Sequence, residues 1–132
     1  MPVCYSPFVI FFQIGAVLAG IGVLLGAFGA HALRETLSSE MLEIFETGVR
    51  YQMYHALALL AVGWLADKRP DLTLVHRAGV SFAAGIVIFS GSLYLLAITG
   101  LRWLGAITPI GGVAFITGWL LLAFAAARAR RA

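Results

Sequence analysis

His31, Gln52, His55, Ser90, Ser92, Tyr94 and Thr108 are the residues of this chain that could do chemistry inside otherwise apolar surroundings. Two imidazoles can move a proton or ligate a metal, and the amide and hydroxyls can hold a carbonyl or a lipid headgroup. A metal centre needs three or four ligands. His31 and His55 supply two and Glu43 or Glu46 a third, but no HxxxH or CxxC spacing joins them, so no metal is assigned. Nucleophilic catalysis has no visible machinery. Cys4 is the only cysteine, no carboxylate falls within an apolar run, and no serine sits in a GxSxG context. Gly22 to Gly26 is not followed by GK[ST], which excludes a phosphate loop. A transporter would call for an intramembrane charge or broken helices, and only Pro109 with Gly111-Gly112 hints at a break. The chain reads as a non-enzyme without a cofactor.

The elements that must position these residues follow from the charges. All 15 charged side chains lie at Arg34 to Arg50, Asp67 to Arg77, Arg102, and Arg128 to Arg131. Between them run Met1–Leu33, Tyr51–Ala66, Ala78–Leu101 and Trp103–Ala127, all uncharged. A hydrocarbon core about 30 Å thick takes roughly 20 residues of helix. Three runs reach that length, and the second can extend towards Arg50. Charged residues make up 11% of the chain, against about 25% in a soluble domain. The runs are continuous rather than alternating, which favours helices over a barrel. The expectation is all-α: a single-domain integral membrane four-helix bundle with short loops, over residues 1–132. Its spans are placed at about 8–32, 50–66, 77–98 and 104–127.

Residues 34–50 form one amphipathic segment between helices 1 and 2, with Leu42, Phe45 and Val49 on one face and Glu40, Glu43, Thr47 and Arg50 on another. Ser38 or Ser39 can cap it. It either lies in the interface or continues straight into helix 2. Pro70 ends helix 2, Thr99-Gly100 forms a tight turn, and Pro109 falls in the first turns of helix 4.

Basic residues at the boundaries set orientation rather than bind nucleic acid. Lys68, Arg69, Arg77, Arg128, Arg130 and Arg131 share one side, against Arg34, Arg50 and Arg102 on the other. Positive residues favour the cytoplasm, so both termini are placed inside. Tyr5 and Trp64 then fall near the inner interface, and Tyr51, Tyr54 and Trp103 near the outer one. A cleaved signal peptide would need a basic n-region, which Met1–Phe8 lacks. Cys4 reads as an inert thiol.

Gly15, Ala19, Gly22, Gly26 and Gly29 (or Ala30) recur every three or four residues along helix 1, including a GxxxG match at Gly22 and Gly26. Small residues let backbones approach in lipid, so this is a helix-packing face. Depth brings His31, Gln52, His55, Ser90, Ser92, Tyr94 and Thr108 to one leaflet from four helices, with Arg34, Arg50 and Arg102 able to rim them. Two readings stay open: hydrogen bonds that glue helices together, or an outer-leaflet pocket for a lipid or quinone.

The segments Gly26–Leu33, Tyr51–Leu57, Phe89–Leu96, and Thr108–Gly112 followed by Gly118-Trp119 together resemble the YgdD/YwdK-like family of small bacterial inner-membrane proteins. The likeness covers about residues 10–125. It implies a compact four-helix integral protein of the bacterial inner membrane and supplies no catalytic residue. His31 and His55 carry over only as motif members. The reading is an accessory or packing subunit of a larger membrane complex, in contact with membrane lipids and with other integral subunits or further copies of itself. The alternative is a lipid- or quinone-binding protein using a pocket around His31 and His55.

The orientation is checked by fusing a reporter to the C-terminus. A cytoplasm-active reporter should score there, and an active periplasmic reporter would overturn the assignment.

Overall fold

The computed structural model describes residues 7–69, 71 and 73–129. Cys4, Tyr5, Pro70, Arg130 and Arg131 lie outside them. The described residues form helices joined by short connections. Helix α1 is Pro7–His31, followed by a single 3-10 turn, Leu33–Glu35. Helix α2 is Ser39–Lys68. Helix α3, Thr73–Gly85, passes through a π-helical turn, Ile86–Ser90, into α4, Gly91–Thr99. A 3-10 turn at Arg102–Ala106 leads to α5, Thr108–Ala129. Because α3, the π turn and α4 form one rod, there are four rods. Three are long and apolar enough to cross a membrane: Val9–Glu35, Thr73–Thr99 and Arg102–Ala129.

The fourth rod, α2, is the longest helix, with 30 residues, or about 45 Å, and it is the most polar. Of the two placements left open for the amphipathic segment between helices 1 and 2, the helix runs as the continuous one: Ser39–Arg50 forms the first three turns of α2. Ser38 caps it by accepting a hydrogen bond from the Met41 amide at 3.2 Å. No break is needed, because the buried stripe Phe45, Gly48, Gln52, His55, Ala56, Leu59 and Val62 runs unbroken along one side. The polarity of α2 is accommodated by position. Helix α1 covers one flank and the α3–α4 rod the other, so Gln52 and His55 face protein while the charged residues stay on the exposed side.

Other boundaries also shift. The final helix begins at Thr108 rather than 104, because Arg102–Ala106 winds as the tighter turn that buries Leu104. Gly100, at φ 72°, closes α4 with its amide donating to the Leu96 carbonyl at 2.8 Å. That is the left-handed stop glycine adopts without strain.

Aromatic rings resting on glycines hold the rods together. Phe11 of α1 lies over Gly79, Phe82 of α3 over Gly118, Phe115 of α5 over Gly85, and Tyr94 of α4 over Gly48. A methyl group at Gly79 would lie 2.6 Å from the Phe11 ring, and one at Gly118 2.5 Å from Phe82. In lipid there is no hydrophobic drive between helices, so close backbone approach and dispersion must bind them. Gly15, Gly22 and Gly29 are buried against α2, with Ala19 and Gly26 half-buried beside them. The main core lies between α2, α3 and α5 and includes Leu59, Val62, Val75, Phe82 and Phe115.

Gly111 is the tightest approach of backbone to backbone, since a side chain there would strike the main chain of Phe89 in the π turn. Gly111→Ala is expected to destabilise the protein by about 1–3 kcal/mol. Gly20→Ala, with nothing within 4 Å of the added methyl, should be neutral or stabilising by up to about 1 kcal/mol. Thermal unfolding in detergent checks both, and equal effects would contradict the packing account.

Candidate functional site

Gln52 sits on the buried face of α2 and holds two neighbours. Its Nε2 donates to the Leu18 carbonyl of α1 at 2.8 Å, and its Oε1 accepts from the Tyr94 hydroxyl of α4 at 2.7 Å. One helical turn before, the Ser90 hydroxyl donates to the Gly48 carbonyl at 2.7 Å. Ser92 shares a 2.7 Å hydrogen bond with Thr108, tying α4 to the start of α5. Of the seven polar residues grouped by depth, these five are therefore engaged in bonds between helices. Among the described residues, no buried side-chain nitrogen or oxygen lacks a partner.

His31 is not brought to them. It lies exposed at the C-terminal end of α1. The antiparallel pairing of Gly22 with Met53 and Gly29 with Phe45 puts it level with about residue 44 of α2. That is roughly three helical turns, about 16 Å, from His55. The three arginines also stand apart. Arg34 lies in the 3-10 turn, Arg50 on the exposed side of α2, and Arg102 at 3.5 Å from Glu40 in an exposed pair. Among the described residues, no three His, Cys, Asp or Glu side chains gather as a metal site.

His55 occupies a different setting. It is buried, and its ring stacks on Phe115 with centroids 3.5 Å apart and planes 7° from parallel. Its Nδ1 lies 2.7 Å from the Tyr51 carbonyl, and its Nε2 is 3.1 Å from the Trp119 indole nitrogen. A carbonyl can only accept and an indole N–H can only donate. The imidazole is therefore neutral, with its proton on Nδ1 and both nitrogens engaged.

Around this histidine lies a cleft of roughly 560 Å³ between α2 and α5. It exists because α5 packs along α3 and the π turn rather than on α2. Tyr51 and Tyr54 form one wall, Phe115, Ile116 and Trp119 the other, and Phe89 and Gly112 close it. The Tyr51 ring lies 4.7 Å from Phe89 and 5.9 Å from Tyr54. The cleft is thus walled by π faces, and its lining is almost wholly apolar. The Tyr51 and Tyr54 hydroxyls make no hydrogen bond with the described residues. A second, more open groove of roughly 490 Å³ between α1 and α3 is bounded by Phe11, Ile14, Val80 and Val87 and offers no polar group.

Sequence reasoning passed over Phe115 and named Trp119 only as a motif member. One signal was available: a tryptophan N–H within an apolar helix needs an acceptor, and few exist. The π turn beneath Phe89 left no signal at all. Such turns occur frequently at functional sites.

The geometry can be set beside known proteins. The model of a family described as "Protein of unknown function (DUF423)" matches residues 25–112. The chain is 50% identical over 119 residues to the UPF0382 membrane protein YwdK of Bacillus subtilis, covering 90% of this chain and 97% of that one. It is 50% identical over 116 residues to a UPF0382 membrane protein of Staphylococcus epidermidis, covering 88% and 93%. Over 122 residues it is 41% identical to the UPF0382 inner membrane protein YgdD of Escherichia coli, covering 92% of each. No solved structure matches. The chain belongs to this family and is a small membrane protein.

The Gln52–Tyr94 bond can be measured by a double-mutant cycle. Gln52→Leu and Tyr94→Phe should each destabilise, and the double variant should cost less than their sum by about 1 kcal/mol. Comparable bonds within membranes average about 0.6 and reach about 1.7 kcal/mol. Additive losses would show that the two side chains do not interact.

Proposed function

We propose that this family member is a four-span, non-enzymatic protein of the bacterial inner membrane. It holds one small apolar molecule with a flat ring or chain, of the quinone or lipid class, in the cleft between α2 and α5. Helix α2 is the fourth span, crossing over Tyr51–Ala66 with Gln52 and His55 turned inwards. Both termini face the cytoplasm, on the side richer in lysine and arginine.

The observation that carries this reading is the aromatic-walled cleft itself. Its volume falls within the range of small-molecule sites, and its rings present faces on which a flat or extended apolar group can stack. His55 is the floor rather than a reactant, because both its nitrogens are already engaged. The Tyr51 and Tyr54 hydroxyls supply the free donors that orient a carbonyl-bearing ligand. This keeps His55 from the expected outer-leaflet pocket and leaves His31 out of it.

One observation favours the accessory-subunit reading. Helix α1 is attached along a single side, and Val17, Val23 and Leu24 are 61–71% exposed on the other. In lipid such a face can equally meet acyl chains or another subunit, so it carries less weight than the cleft.

Native mass spectrometry of the complex released gently with its lipids separates the two. The cleft reading predicts a reproducible small-molecule mass, lost in Gly112→Leu, which fills the cleft from a position whose nearest neighbour is Phe89 at 3.9 Å. Retention of that mass by the folded variant would sink the cleft reading. A protein partner at fixed stoichiometry, without the small mass, would favour the accessory subunit instead.

A further inference from the structure

The chain has two glutamines, and both lie within its helices. Gln52 is bonded at both ends of its amide. Gln13 of α1 is exposed and makes no hydrogen bond with the described residues. Its depth follows from the packing. Phe11 rests on Gly79, two residues past Arg77, and Gly15 lies against Ala56 and Leu59, well short of Asp67. The Gln13 amide is thus about 6–9 Å deeper than the first charged residues of its neighbours. Hydrocarbon offers an amide no hydrogen bond, so a bare one there is costly.

Gln13 also begins a seam. Steps of four and three residues lead from it to Val17, Gly20, Leu24, Ala27 and His31, all exposed. About two and a half helical turns separate Gln13 from Gly22, so the seam runs opposite the glycine face that meets α2. Bulky Val17 and Leu24 alternate with small Gly20 and Ala27. At Gly20 nothing of this chain lies within 4 Å of an added methyl. A repeat of about 3.5 residues is the period at which two helices keep one face in contact along their length. Contact with acyl chains requires neither that period, nor gaps at Gly20 and Ala27, nor an amide.

We propose that this face of α1 is covered by α1 of a second copy of the chain, the two helices running parallel with Gln13 bonded to Gln13 across a two-fold axis. Three features select a second copy as the occupant. A carboxamide carries both donors and an acceptor, so two of them satisfy each other. Copies inserted under one charge rule share an orientation, which brings both amides to the same depth. In a two-fold pair each seam residue meets its own equivalent, so Gly20 and Ala27 admit close approach while Val17 and Leu24 pack between them. A polar residue in such a seam fixes register as well, because any slip leaves the amides unpaired. The pairing lies on the far side of α1 from α2 and does not depend on what the α2–α5 cleft holds.

The test places the purified full chain, labelled at its C-terminus with donor or acceptor dye, in phosphatidylcholine vesicles. Energy transfer is followed as the protein is diluted with lipid, and it should trace a two-copy association. Gln13→Leu should move the midpoint to roughly tenfold more protein per lipid, the scale of hydrogen bonds between model helices in membranes. Gln13→Asn, which keeps the amide, should retain most of the association, and Gly20→Leu, which crowds the seam from an open position, should abolish it. Oxidation then maps the face. On a Cys4→Ser background, Gly20→Cys and Ala27→Cys should each link two copies. Ile21→Cys and Val23→Cys, exposed on the flanks, should not. A chain that stays monomeric at every ratio, as it would if α1 served an unrelated subunit or lipid alone, would overturn the proposal. So would an association unchanged by Gln13→Leu, or equal cross-linking at all four positions.

Discussion

Gln52 is held at both ends, by a carbonyl of α1 and a hydroxyl of α4, and the arrangement of the rods follows from that constraint. In hydrocarbon an amide without partners costs several kcal/mol. A helix carrying Gln52 and His55 cannot face lipid on that side, so it must be the inner rod. Helices α1, α3–α4 and α5, which are apolar enough to meet lipid, take the outside. The most polar rod thus buries one continuous stripe from Phe45 to Ala66, while α1 exposes most of its surface.

Close contact is then achieved with glycine and aromatic rings rather than with a broad apolar seam. Each ring needs a glycine opposite, and each glycine brings two backbones nearer. The pairing of α5 with α3 and the π turn is the strongest example, since Gly85, Gly111 and Gly118 of the two rods all face aromatic residues. That pairing draws α5 away from α2. The cleft beside His55 is the space left between them, and the Trp119 to His55 hydrogen bond spans it. Site and packing thus arise from one choice of partner.

Much of this was legible from residue types and positions along the chain. Charges marked the rod ends, Ser38 and Gly100 marked a start and a stop, and the small residues of α1 marked the face now seen against α2. Depth also grouped Gln52, Ser90, Ser92, Tyr94 and Thr108, each of which does bond to another helix. What position along a helix cannot give is the direction in which a side chain leaves it once neighbours are unknown. His31 and His55 looked like companions by type and by end, yet they belong to different levels and different sides. Phe115 looked like an ordinary apolar residue and Trp119 only like a motif member, because only the pairing of α5 with α3 turns them towards His55. The continuity of α2 through Arg50 was one of two placements left open, because its charges interrupt the apolar run although they lie on the exposed side of a helix whose buried stripe continues.

The central claim is that α2, the least apolar rod, is the dry centre of the molecule. Hydrogen–deuterium exchange of the protein in lipid nanodiscs addresses it directly. The amides from Gly48 to Val62 should exchange more slowly than those of α1 and α5, because bonded polar groups leave water no foothold beside them. Faster exchange across Gly48–Val62 than in α1 and α5 would mean that water reaches Gln52 and His55, and the account of a closed, protein-shielded α2 would be wrong.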